Sequence, residues 1–193
     1  MKLIILKSNL KEALQSVERA VLENNNLPIL KNILLKANSR LIISATNLEI
    51  GVTCVTNAKI SEEGSITVPL APINSIINNS TSERINLATQ GNNLIIKTDN
   101  YEAKIQCLPS EEFPIIPKIE NNDQPLEIQG EALKRALSEV AHAAQTNNAK
   151  PELSSVLFDF QLGALKLVAT DGFRLAEKTL LNNSFISGFT KAA

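Results

Sequence analysis

Apolar positions along the first third of the chain switch repeatedly between two spacings. Leu3 to Leu6 is a short apolar run of strand length, after which Leu10, Ala13, Leu14, Val17 and Val21 recur at the three- and four-residue intervals of one helix face. Asn9, with Glu12 three residues on, predicts a capping box at the start of that helix. Strands are predicted over residues 30–37, 41–45 and 49–59, then, beyond a turn at 61–64, over 66–68. Pro72 predicts the opening turn of a second helix with Ile73, Ile76 and Ile77 inward. Strands over 84–89, 94–98 and 102–108 come next, parted by Gly91-Asn92-Asn93 and Asp99-Asn100 as hairpins. Residues 109–125 are polar and punctuated by proline, which predicts an interdomain linker.

The same order then begins again. At a constant shift of 123 residues, Leu10, Lys11, Ala13, Leu14 and Val17 face Leu133, Lys134, Ala136, Leu137 and Val140. The register continues through Leu30, Ile33, Leu34 and Leu35 against Leu153, Val156, Leu157 and Phe158. One inserted residue later, Leu41, Ile43, Ala45, Thr46 and Asn47 meet Leu165, Leu167, Ala169, Thr170 and Asp171. One amphipathic helix resembles another by chance, but register kept across a helix and two strands implies a duplicated domain. The expected architecture is α+β, with repeated strand-helix-three-strand units and the helices on one sheet face. Residues 1–122 are expected to form a complete first domain, and 123–193 the first half of a second that stops near the point equivalent to Leu70. On that reading the apolar faces of Leu133, Leu137, Val140 and Leu157 lack half their cover.

Composition changes this picture little. A hydrophobic content of 44% with 20% charged residues suits a packed globular chain. Leu3 to Leu6 is far too short for a signal-peptide core and nothing later approaches a membrane span, so the expected location is cytoplasmic, with no membrane partner. Cys54 and Cys107 stand apart on alternating stretches and read as half-buried core thiols. His142 is the only histidine, without Cys or carboxylate at ligand spacing, and Glu62-Glu63 and Glu111-Glu112 read as solvated turn charges. Neither a cofactor nor a catalytic residue is expected. A formal net charge of −1 argues against tight electrostatic binding of nucleic acid, though not against a topological hold on DNA.

Four segments carry a resemblance. Leu27-Pro28-Ile29-Leu30, Ala45-Thr46-Asn47-Leu48-Glu49, Leu108-Pro109-Ser110-Glu111-Glu112-Phe113-Pro114 and Val168-Ala169-Thr170-Asp171-Gly172-Phe173-Arg174-Leu175-Ala176, in this order and spacing, resemble the bacterial β sliding clamp family, the β subunits of DNA polymerase III. The resemblance spans essentially the whole chain, as the N-terminal portion of such a subunit with the third domain absent. It implies a DNA-clamp fold and a head-to-tail homodimeric ring when full length, with helices lining a central hole. It also implies a non-catalytic processivity subunit that encircles double-stranded DNA. The implied partners are the DNA polymerase III catalytic subunit, the clamp loader and other proteins bearing clamp-binding motifs.

That resemblance implies two sets of working residues. Lys11 and Gln15 lie off the apolar stripe of the first helix, with Lys134 and Ser138 at the repeated places, and with Lys7, Arg19, Asn24, Arg135, Asn147 and Lys150 they form the DNA-facing set. A lysine opposite an apolar face is equally a solvated surface charge, and both readings stay open. The family often has arginine just before its Leu-Pro motif, where this chain has Asn24-Asn25-Asn26. Leu153, Thr170, Gly172, Phe173, Arg174 and Leu175 match the cleft that receives partner peptides, and they read equally as a tight turn with ordinary core contacts. Relatives frequently carry histidine where Phe173 stands. Two alternatives remain beside the clamp reading. One is a truncated clamp remnant or engineered fragment that folds but closes no ring; the other is a small-molecule enzyme on an α+β scaffold, which requires convergent polar groups the sequence lacks.

Overall fold

The computed structural model describes residues 1–21, 27–99, 101–117, 127–146, 150–161, 163–181 and 185–187. The chain divides into two compact units, Met1–Lys118 and Ile119–Ala193.

The first unit runs β1 (Lys2–Leu6), α1 (Lys7–Glu18), β2 (Asn32–Ala37), β3 (Leu41–Thr46), β4 (Gly51–Thr56), β5 (Lys59–Glu62), β6 (Gly64–Pro69), α2 (Leu70–Asn79), β7 (Arg84–Gln90), β8 (Asn93–Lys97) and β9 (Glu102–Gln106). Two antiparallel sheets result, in the orders β5-β1-β7-β8-β9 and β4-β3-β2-β6. Leu3 and Ile5 of β1, Leu10 and Leu14 of α1, Leu35, Ile43, Ile73 and Ile85 are fully or almost fully buried in one core with both helices and both sheets.

The two halves of this unit answer each other. β1 pairs with β7, the strand after the second helix, with Ile5 opposite Ile85 and Leu3 opposite Leu87. β6 pairs with β2, the strand after the first helix, with Val68 opposite Ile33 and Ile66 opposite Leu35. Each half thus lends its first strand to the other's sheet in the same register, which is an internal pseudo-two-fold.

Three local expectations are corrected. Asn9 caps nothing: α1 starts at Lys7, straight out of β1, with no side-chain cap. The Lys7 amide donates to the Glu83 carbonyl at 2.8 Å, so a neighbouring segment's backbone supplies the acceptor that a cap would have given. The long strand predicted over 49–59 is two strands in different sheets, β4 beside β3 and β5 beside β1, because the chain crosses between sheets at Asn57-Ala58. The predicted linker begins later than its prolines suggest. Thr67 and Leu108 exchange backbone hydrogen bonds at 3.2 and 3.3 Å, Ser110–Glu112 is a turn of 3₁₀ helix, and Phe113 is buried. The second helix begins at Leu70, so Pro72 sits within its first turn, where a missing amide hydrogen costs no helical bond.

The second unit runs β10 (Glu127–Ile128), α3 (Gly130–Val140), β11 (Leu157–Gln161), β12 (Ala164–Thr170), β13 (Leu175–Leu181) and β14 (Phe185–Ser187). β10 pairs with β14, and β11-β12-β13 form a three-stranded antiparallel sheet. Ala136, Val140, Leu165, Leu167, Ala169 and Leu180 are its core. Val140 is fully buried, against expectation, because it packs in this cluster with Leu165 and Leu167. Leu133 and Leu137 are half-buried and Leu157 is 61% exposed. Among the described residues β11 has a strand on one side only.

Candidate functional site

The residues expected to form a partner cleft gather at one end of the second unit's sheet. Thr170 ends β12 and pairs with Leu175, the first residue of β13, so Thr170 to Leu175 is a single tight hairpin. β11 enters the sheet at Leu157 opposite Val168, and the turn containing Leu153 therefore approaches from the same end. Leu153 is half-buried; its amide donates to the Lys150 carbonyl at 3.0 Å and its carbonyl accepts from the Gln145 amide at 2.8 Å.

The hairpin is held from within. Thr170 Oγ1 donates to the Arg174 carbonyl at 2.7 Å and accepts from the Gly172 amide at 3.1 Å. Asp171 Oδ1 accepts the Phe173 and Arg174 amides at 3.0 and 2.9 Å, and Asp171 Oδ2 accepts Arg174 Nε at 3.0 Å. These amides, with the Arg174 charge, hold the Asp171 carboxyl below the ordinary aspartate value. Gly172 has φ +90°, the left-handed region glycine tolerates best. Phe173 is wholly exposed and Leu175 is 66% exposed, so an apolar ring and an apolar branch stand in solvent beside a guanidinium fixed by Asp171.

The first unit contains the same turn. Thr46 Oγ1 donates to the Ile50 carbonyl at 2.9 Å and accepts from the Leu48 amide at 3.0 Å, while Asn47 Oδ1 accepts the Glu49 and Ile50 amides at 3.0 and 2.6 Å. Leu48, at φ +75°, stands where Gly172 stands. The two turns differ at the first residue of the next strand. A Cβ added to Gly51, the counterpart of Leu175, would meet Ile116 Cγ2 at 2.7 Å, so an extended segment of the first unit lies against that position. Leu175 keeps most of its surface in solvent. Aspartate in place of Asn47 adds a charge to the second turn, which the amide of Asn47 cannot supply.

The residues expected to face DNA divide between exposed and engaged side chains. Lys11, Gln15 and Arg19 are exposed on or just after α1, and Lys134, Arg135 and Ser138 are exposed on α3. Lys7 is half-buried, and its amine donates to the Ser80 carbonyl at the end of α2, a favourable place for a cation at a helix C-terminus. Arg135 pairs with Glu139 one turn on, and Glu139 also pairs with Lys178; both cations hold that carboxyl below the ordinary glutamate value. Ser138 Oγ donates to the Lys134 carbonyl at 2.9 Å. Lys150 is exposed, and Asn24 and Asn147 lie outside the described residues. His142 is exposed after α3, Cys54 is half-buried, and burial pushes the Cys107 thiol up. Sequence pattern gives no sign of Gln145, yet its Oε1 is buried without a hydrogen-bond partner among the described residues, and its amide is the donor that holds Leu153. Among the described residues no group of three or more His, Cys, Asp or Glu could hold a metal ion, and no helix is long and apolar enough to cross a membrane.

Comparison with known proteins divides the chain at a similar place. Residues 1–117 match the N-terminal domain of the DNA polymerase III beta subunit, and residues 127–185 match the central domain. A beta sliding clamp from Chlamydia muridarum is 27% identical over 179 residues, covering 92% of this chain and 49% of its own length. One from Synechocystis is 30% identical over 186 residues, covering 91% and 47%. The crystal structure of a DNA polymerase III subunit beta from Bartonella birtlesii, bound to griselimycin, superposes with a TM-score of 0.87 at 28% identity over 94% of this chain and 50% of that one. The chain spans about half the length of the curated relatives it matches.

Proposed function

We propose, because this chain belongs to the DNA polymerase III beta subunit family, that it serves in a non-catalytic sliding clamp that surrounds duplex DNA and tethers replication proteins to it. The observation that carries this reading is the succession of two family domains in order, N-terminal then central, each built on the same strand-helix-three-strand unit. Retention by topology accounts for a net charge of −1, since a closed ring needs only weak phosphate contacts that permit sliding. Lys11, Gln15, Arg19, Lys134 and Ser138, with Asn24, Asn147 and Lys150, are the proposed DNA-facing groups, while Lys7 and Arg135 contribute charge from side chains already engaged.

The proposed partner site is the Thr170–Leu175 hairpin with Leu153. Exposed apolar groups beside a fixed guanidinium suit a short peptide carrying apolar anchors and a carboxylate or backbone acceptor. The peptides would come from the polymerase catalytic subunit, the clamp loader and other clamp-binding proteins, acting in the cytoplasm on a homodimeric ring.

Isotope-labelled protein titrated with a polymerase-derived clamp-binding peptide should show NMR shifts concentrated at Leu153, Thr170, Gly172, Phe173, Arg174 and Leu175. Unchanged signals at saturating peptide would sink the site. Reversing Lys11 and Lys134 to Glu should flatten the salt dependence of duplex binding by roughly one unit of log–log slope for each phosphate no longer neutralised. An unaltered slope would remove those lysines from the DNA-facing set.

A further inference from the structure

We propose that the outer face of the first unit's five-stranded sheet is a docking surface for an acidic, extended peptide segment. Its apolar side chains lie on Ile4 and Leu6, and its carboxylates meet Lys59 and Arg84. This rests on the shape and charge of that face and stands apart from the clamp reading. All five strands lie within Met1–Lys118, so the first unit builds the face by itself.

Alternation along β1 creates the floor. Leu3 and Ile5 point into the core, which turns Lys2, Ile4 and Leu6 outward, and Ile4 and Leu6 are 37% and 48% exposed. Strand pairing sets what stands beside them. Lys59 of β5 is opposite Ile4 on one side, while on the other Asn86 and Arg84 of β7 are opposite Ile4 and Leu6. Together with Asn9, Asn57 and Asp99 these residues line an open groove of about 690 Å³.

The two cations lack acidic partners. Elsewhere on the face Lys97 pairs with Glu102 at 3.0 Å, and Lys2 is opposite Glu62. Among the described residues Lys59 and Arg84 make no ion pair, and Asp99 is the one carboxylate lining the groove. The helix layer is more evenly charged: α1 sets Lys7 and Lys11 against Glu12 and Glu18, and α2 carries no charged residue.

Chemistry selects the occupant. Single-stranded nucleic acid stacks its bases on aromatic rings, and none lines this groove. A lone phosphate would leave the Ile4–Leu6 floor uncovered. A peptide satisfies both parts, with carboxylates on the Arg84 fork and the Lys59 amine and with asparagine amides on hand for its backbone. Lys59 and Arg84 stand on the strands flanking β1, two residues apart along it, so their backbones are roughly 12 Å apart. Acidic residues three or four positions apart in an extended segment span about 10–14 Å. Asp99 works against such a ligand, and neutralising it should help.

The test titrates the isotope-labelled 193-residue chain with acetylated, amidated Gly-Glu-Leu-Ile-Glu-Gly and with its neutral counterpart Gly-Gln-Leu-Ile-Gln-Gly. The acidic peptide should shift the NMR signals of Ile4, Leu6, Lys59, Arg84 and Asn86, and the neutral one should bind about tenfold more weakly. Lys59→Glu combined with Arg84→Glu should weaken the acidic peptide about tenfold or more, and Asp99→Asn should tighten it about twofold. Circular dichroism should stay unchanged, because exposed charges contribute little to stability. The neutral peptide and Asp99→Asn keep the test decisive if the double variant unfolds. Unmoved signals at saturating peptide, shifts confined to Leu153 and Thr170–Leu175, or equal binding of the neutral peptide would each overturn the proposal. So would an oligothymidylate that shifts the same residues at lower concentration than the acidic peptide, which would make this a nucleic-acid surface.

Discussion

α1 and α3 start from nearly the same apolar stripe and end in different surroundings. Leu10, Ala13, Leu14 and Val17 of α1 are all buried, because α2 and two sheets close over them. In α3 only Ala136 and Val140 reach that state. The strands behave alike: Leu41, Ile43 and Ala45 are buried in β3, and so are Leu165, Leu167 and Ala169 in β12, since both are central strands. The difference lies one strand outward, between β2, flanked on both sides, and β11, flanked on one among the described residues. Burial in this fold is therefore set jointly by the half that carries a residue and by the half that answers it.

The largest test of that comparison is truncation of equivalent leucines. Leu14→Ala should destabilise the first unit by ~2–5 kcal/mol, as for fully buried leucines, and Leu137→Ala should cost roughly half as much or less. Equal losses in denaturant titrations would show that α3 is as well covered as α1. Next in size is hydrogen exchange: the amides of β11 should exchange about 100-fold faster than those of β2. Equal exchange at β11 and β2 would break the comparison.

The paired turns give smaller effects. Gly172→Ala should cost about 1 kcal/mol, because φ +90° penalises a Cβ although no atom lies within 4 Å of its place. Leu48→Gly should change stability by only ~0.5 kcal/mol or less, relief at φ +75° being offset by the freedom glycine adds to the unfolded chain. The smallest effect concerns pH. The Asp171 carboxyl is held below its ordinary value in the folded turn, so its contribution is complete above the ordinary aspartate range and is lost as pH falls through the lowered value. The Phe173 and Arg174 amide resonances should lose their hydrogen-bonded shifts in that acid window, while the Ile50 amide, bonded to the neutral Asn47, keeps its own. Titration of both turns together would contradict the assigned acceptors.

Much of the Thr170–Leu175 hairpin was legible in the chain, because Thr170-Asp171-Gly172 repeats Thr46-Asn47-Leu48 and every bond that holds the turn is local. Gln145 was not legible, since its role depends on a backbone bond to Leu153 and on burial of an oxygen the sequence presents as ordinary. Among the basic residues, the pattern identified those off the apolar stripe. It could not distinguish the exposed Lys11 from Lys7, whose amine is held by the Ser80 carbonyl 73 residues away.

Periodicity and repetition by themselves determined the strands and helices, the duplication at a shift of 123 residues and the central core positions, because these arise from side-chain spacing along a continuous segment. Tertiary structure alone decided where α1 begins, where the chain leaves one sheet for the other at Asn57-Ala58, and why Leu14 is sealed while Leu137 is half-open. Each of these depends on a group distant in sequence: a carbonyl at Glu83, the β1 edge that receives β5, or the α2 half that covers α1. A residue's spacing fixes the face it lies on, and only the element packed against that face fixes whether water reaches it.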